Sequence, residues 1–208
     1  MNKELIEYIS IEVSILINSG FYNKDEILEI IEEQFIDEDI SLNEIKTIIF
    51  DKYNKKIEAE ANWEEKTDFD KLKNCFNHLN NKSILMIHNA GYSVDEGVHD
   101  SFEVFHHLQI KNIVPEGFCF YHFQDIEYAL ESNILSLAFE DFQNNKEKSL
   151  KIGKLIVKTL YNNDFIVKWN EDINSPIKIN PFHWKKRLDD DEYEMEGAYN
   201  SFLDKSEN

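Results

Sequence analysis

This sequence predicts an α/β or α+β fold, with a mixed sheet of about five strands and flanking helices, preceded by a small three-helix unit. Three observations carry that reading. Short, continuous apolar runs at 83–88 (SILMIH), 117–122 (GFCFYH) and 134–139 (ILSLAF) have the length and composition of strands covered on both faces. Helical periodicity fills the intervals between them. The first 60 residues place their apolar side chains at helical spacing.

The elements follow in order. Leu5, Ile9, Val13 and Leu16 share one helical face over residues 3–18, and Ser19-Gly20 ends the helix. Asn23 caps a second helix that turns Ile27, Leu28, Ile30, Ile31 and Phe35 inward. Ser41 with Glu44 has the spacing of a capping box and opens a third helix running to about residue 60 through Ile45, Ile48, Ile49 and Tyr53. Residues 1–60 thus form an acidic helical unit. Thr67 or Asp68 caps the next helix, with Leu72, Phe76 and Leu79 inward, and a further helix is expected near 98–110 with Phe102, Phe105 and Leu108 inward. Asp125–Glu131 reads as a single short helix, and 146–164 as an amphipathic one. FIVKW (165–169) and PIKIN (176–180) pair as a hairpin. Strand–helix–strand repetition over 63–187 implies parallel pairs with an antiparallel edge. Residues 188–208, with eight acids against one lysine, are expected to be a partly mobile acidic tail.

Charge and cysteine content exclude several functions. Forty-one acidic against 22 basic residues give a net charge of −19, which opposes binding to a nucleic-acid backbone; it favours a basic protein partner, although acidity more commonly serves plain solubility. Cys75 and Cys119 fall in a helix and a strand, so neither a disulfide framework nor a thiolate zinc site is expected, and a reducing compartment fits. Glu4, Glu7 and Glu12 interrupt the apolar N-terminus, so no signal peptide or membrane span is read there and the protein is expected in the cytoplasm. Six glycines form no phosphate loop and no nucleophile elbow, so no cofactor is implied.

Trp63, Thr67-Asp68, Leu72, Phe76, Leu79, GFCFYHFQDIE, LSLAF, Gly153, Trp169 and HWKKR together resemble a bacterial domain family of unknown function, over residues 63–187. The most specific part is Tyr121, His122, Gln124, Asp125 and Glu127, a Tyr-His-x-Gln-Asp-x-Glu pattern. The resemblance implies a fold and a motif and supplies no activity.

That motif has two readings. His122 at a strand end, with Asp125 and Glu127 on the turn that follows, stands where α/β sheets place catalytic and binding residues. If the first two strands are parallel, His88 ends on the same edge, and Asp95 in the intervening loop joins a two-histidine, carboxylate-rich cluster with Gln124 beside it. Such a set suits a divalent metal or general acid–base work. Alternatively Asp125 caps the helix, Glu127 complements its dipole, Gln124 bonds loose backbone groups and His122 is a packed core histidine. His99, Glu103 and His106 share a helix face at a spacing metals use, although such faces are mostly solvated. Asp37, Asp39 and Ser41 begin like a calcium loop, but Leu42 and Ile48 occupy the places of its glycine and its bidentate glutamate.

Two function classes follow. The first is an acidic interaction protein, such as an immunity protein or antitoxin, that meets a basic partner through Glu29, Glu32, Glu33, Asp37 and Asp39. The second is a small metal-assisted hydrolase or a ligand-binding domain using His88, His122, Asp125 and Glu127 at the strand edge.

Overall fold

The computed structural model describes residues 3–206. The described residues form thirteen elements in two compact units, one running to Thr67 and taking in Lys185–Asp190, the other Asp68–Trp184 with the described residues from Asp191 onward.

The first unit holds α1 (Lys3–Ser19), α2 (Lys24–Gln34) and α3 (Leu42–Glu60). Its core is aliphatic: Ile9, Val13, Ile27, Ile31, Ile45 and Ile49 are all buried. Each such side chain contributes about 1.5–3 kcal/mol on leaving water, which these short helices need, since isolated helices of this length are marginal. Asn23 caps α2 in a full capping box with Glu26. Ser41 occupies the N-cap of α3, but its side chain makes no cap hydrogen bond, so the expected Ser41–Glu44 box is not formed. Lys185–Asp190 completes this unit rather than the sheet. Lys185 pairs with Glu64 at 2.7 Å, and Arg187 donates to the Glu64 carbonyl and lies over the Trp63 ring.

The second unit is an α/β fold built on a five-stranded mixed sheet of order β1-β2-β3-β5-β4, with β1 Ile84–Ile87, β2 Gly117–Phe120, β3 Leu135–Asp141, β4 Val167–Lys168 and β5 Ile177–Ile179. The three apolar runs therefore share one sheet. Four helices cover it: α4 (Asp68–Asn80), α5 (Val94–Ile110), α7 (Lys146–Tyr161) and α8 (Met195–Ser206). Leu85, Ile87, Phe118 and Phe120 point to one face, where Val104 and Leu108 of α5 and Ala198 and Phe202 of α8 cover them. On the other face Gly153 of α7 meets Phe139, and His88 stacks on Phe76 of α4 at 4.2 Å.

Only β1 and β2 are parallel; β2 and β3 are antiparallel, against the expected run of parallel pairs. The reason lies in α6 (Phe123–Ser132), which does not carry the chain back to the start of β2. β3 begins beyond the end of β2: Leu135–Leu137 pair with β5, and only Ala138–Asp141 pair with β2. Helix α5 starts at Val94, earlier than the 98 expected, because Ser93 accepts from the Glu96 amide and caps it. The acidic stretch from 188, expected as a partly mobile tail, carries α8, whose Ala198 and Phe202 are buried on the sheet; residues 207 and 208 of that stretch lie outside the described residues. Among the described residues no helix is long and apolar enough to cross a membrane.

Candidate functional site

The C-terminal ends of β1 and β2 carry the sequence-predicted residues. Beyond the strands the two chains stay in register, with the Ala90 amide on the Tyr121 carbonyl and the Phe123 amide on the Gly91 carbonyl. Ile87 pairs with Phe120, so the next pair is His88 with Tyr121, and both project to the α4 face. His122 is one residue further and projects to the α5 face, its ring beside Phe120. The two histidines thus end on the same edge but on opposite faces, and the expected cluster does not assemble.

His88 has become part of the core. Its Nδ1 stands 2.8 Å from the Tyr121 hydroxyl, and Phe69, Phe76 and Tyr193 surround its ring. Burial, with Tyr193 and Glu194 nearby, holds the Tyr121 phenol far above its ordinary value, so it remains a neutral hydroxyl. Tyr193 and Glu194 lie just before α8; Lys73 of α4 reaches Asp191 and Tyr193, and Asn89 donates to Glu194 at 2.6 Å. Tyr121 as the partner of His88 follows from the β1–β2 register, which the sequence does not state locally. Tyr193 was hidden in an acidic stretch.

His122, not Asp125, is the N-cap of α6, and Asp125 is the third helical residue. The His122 Nδ1 accepts from the Asp125 amide, while an Asp125 carboxylate oxygen accepts from the His122 amide. With Nδ1 an acceptor, the ring proton sits on Nε2, 3.2 Å from Asp125 Oδ2. Burial lowers the His122 pKa, and burial raises that of Asp125 to about 6. Both shifts disfavour the charged pair, so at neutral pH a neutral imidazole lies beside a carboxylate. This is a capping box with a histidine in the serine position.

The remaining candidates stand apart. Gln124 is exposed, Glu127 half-buried, and Asp95 lies exposed in the first turn of α5 instead of in a loop. Glu103 stands 4.0 Å from both His99 and His107, and these side chains and that of His106 are exposed. Among the described residues no group of three or more His, Cys, Asp or Glu side chains is placed to hold a metal ion. Cys75 and Cys119 are buried and form no disulfide, and burial pushes the Cys119 thiol up, away from the reactive thiolate.

The capping geometry predicts opposite outcomes for two substitutions. His122→Ala leaves a helix-end donor unpaired and should cost about 0.5–2 kcal/mol. Asp125→Asn keeps an acceptor for the His122 amide and removes a charge whose burial is unfavourable. The raised Asp125 pKa contributes stability that is full below its unfolded value near 3.9 and is lost as pH rises through about 6. Asp125→Asn should therefore be neutral or stabilising at pH 8 and flatten the stability profile between about pH 4 and 6. Urea denaturation across that range measures both; a large loss in Asp125→Asn at pH 8 would mean that the charge itself is needed.

The partner-binding candidates lie on the helical unit. Glu29, Glu33, Asp37 and Asp39 are exposed and Glu32 is half-buried. Lys24, which precedes Asp25 in sequence, lies over the rings of Phe50 and Tyr53, at 5.8 and 5.3 Å.

No curated protein and no solved structure matches the chain. One protein family, described as Domain of unknown function (DUF6891), matches over residues 2–188. The match takes in the N-terminal helices as well as the sheet, a wider span than the 63–187 that resemblance alone suggested. The chain therefore belongs to the DUF6891 family.

Proposed function

We propose that the protein is an acidic interaction protein that binds a basic protein through its helical unit, acting in the cytoplasm as a bacterial immunity protein or antitoxin does on a basic toxin. One observation carries the reading. Residues 25–44 hold nine acids and no lysine or arginine, and among the described residues none of these carboxylates forms an ion pair. Glu26, Glu29 and Glu33 repeat along the exposed side of α2, away from buried Ile27 and Ile31. An uncompensated field of one sign repels itself in the free protein and is relieved by a partner of opposite sign. The strand edge supports this reading indirectly, because its histidines are engaged in packing and capping.

Charge reversal tests it. Glu29→Lys with Glu33→Lys should leave stability within about 0.5 kcal/mol, since both side chains are exposed, while slowing association with a basic partner severalfold. Raising salt should reproduce the slowing in the wild type. A pull-down from the native cell at low salt that returns no basic protein would count against the proposal.

A further inference from the structure

The helical unit leaves a groove of about 430 Å³ open between the first turns of α1 and α3. Ile6 lines it from α1; Thr47 and Ile48 line it from α3, with Asn43 and Glu44 at its border. Ile6 and Ile48 are only half-buried there. The connection that leads into the α3 wall carries Asp37, Glu38 and Asp39, all exposed, together with Ile36 at 78% exposure. Phe35, at the start of that connection, packs edge-on against Tyr8 with ring centroids 5.6 Å apart, which holds it beside the first half of α1. The groove thus has an apolar floor with one acid, Glu44, at its border, and three more exposed acids lie in the connection that precedes α3.

We propose that this groove anchors the basic partner, receiving a segment that presents an aliphatic or aromatic side chain flanked by lysine or arginine. The inference rests on the interaction reading above and adds where the partner binds and what it must carry besides charge. Exposed carboxylates alone accelerate encounter but hold a complex weakly; a buried apolar anchor with a polar rim is what slows dissociation. The groove supplies the pocket for such an anchor, and Glu44 at its border, with the acids of the connection before α3, selects cationic flanks. A second copy of this chain fits poorly, because it would bring the same acidic border against this one.

The test uses the full chain and two synthetic helical peptides of equal positive charge, one with leucines at helical spacing among its lysines, the other with alanines in their place. On the wild type the leucine peptide should bind about tenfold tighter or better, a difference of about 1.4 kcal/mol, and should shift the amide resonances of Ile6, Thr47 and Ile48. In Thr47→Arg, an exposed site where a long side chain fills the groove mouth, that ratio should fall to near one; taking the ratio cancels the added charge. The amide shifts on the wild type stand as evidence if the variant fails to fold. Equal binding of both peptides, or shifts confined to α2 near Glu29 and Glu33, would overturn the groove while leaving the acidic-partner reading intact. Failure of both peptides to bind at low salt would overturn both. Dimerisation in sedimentation that Thr47→Arg abolishes would make the groove a self-interface, and the proposal would fall.

Discussion

Asp141→Ala should be among the most damaging single changes in the sheet unit, costing about 3 kcal/mol or more. Asp141 is the last residue of β3 and is only 2% exposed, yet it is not an isolated buried acid. Its carboxylate accepts from the Gln143 amide at 2.8 Å, from the Asn145 amide and from the Ser149 hydroxyl at 3.2 Å, while its own amide donates back to Ser149 Oγ. One side chain thus closes the β3–α7 connection on itself and delivers Asn145 to the N-cap of α7, where it accepts from Glu147 and Lys148. Alanine leaves these donors without an acceptor inside a connection that solvent reaches only in part, and each unsatisfied buried donor costs about 1–3 kcal/mol. Asp141→Asn keeps one acceptor oxygen and should lose roughly half as much. Chemical denaturation gives the two free energies, and hydrogen exchange at Gln143 and Asn145 locates the loss. A penalty below about 1 kcal/mol for alanine, with unchanged exchange, would mean that water replaces the carboxylate at no cost.

The helices were legible because their signals are local. Asn23 with Glu26, and the aliphatic spacing through Ile27 and Ile31, fix α2 without reference to anything distant. The strands were legible as strands, and β4 with β5 as a hairpin, but the direction of β3 was not. Nothing near residues 121–134 states whether β3 returns alongside β2 or against it, since that depends on where β3 begins relative to the end of β2. The candidate site failed on the same ground. Whether His88 meets His122 or Tyr121 is a matter of one residue in register, and register is set by contacts far apart in sequence. The acidic C-terminal stretch misled for a different reason. Tyr193, Ala198 and Phe202 are its buried anchors, and their spacing is obscured by the exposed Glu194 and Glu196 between them.

Lys56→Met should stabilise the helical unit below about pH 7 and lose that advantage as pH rises toward 10. Lys56 lies on α3 beside exposed Lys55, and by sequence the two look equivalent. In the structure Lys56 is only 5% exposed, and its ammonium donates to the Ile17 and Asn18 carbonyls at the end of α1, 2.9 and 3.4 Å away. The Ile17 carbonyl also accepts from the Gly20 amide, and the lysine adds a C-terminal cap from a neighbouring helix. Burial lowers its pKa to about 7; Glu60, 3.8 Å away, and Asp189 work against that shift, and Lys186 works with it. Gly20 makes the approach possible, since a Cβ there would stand 3.0 Å from the Lys56 ammonium nitrogen and 2.7 Å from the Lys186 carbonyl. The unfolded chain binds this proton up to about pH 10.4, whereas the folded chain releases it near 7, so stability rises with pH across that interval. At about 1.4 kcal/mol per pH unit the full span corresponds to about 4–5 kcal/mol, an upper bound for what Lys56→Met can recover at pH 6. The methionine also gives up both bonds to the α1 carbonyls, about 0.5–1.5 kcal/mol each, so a net gain of about 2 kcal/mol is expected at pH 6 and a net loss near pH 10, where the neutral amine still donates. Thermal unfolding of wild type and Lys56→Met at those two pH values decides the matter. Parallel stability profiles in the two proteins would show that Lys56 keeps an ordinary ammonium and that solvent reaches it.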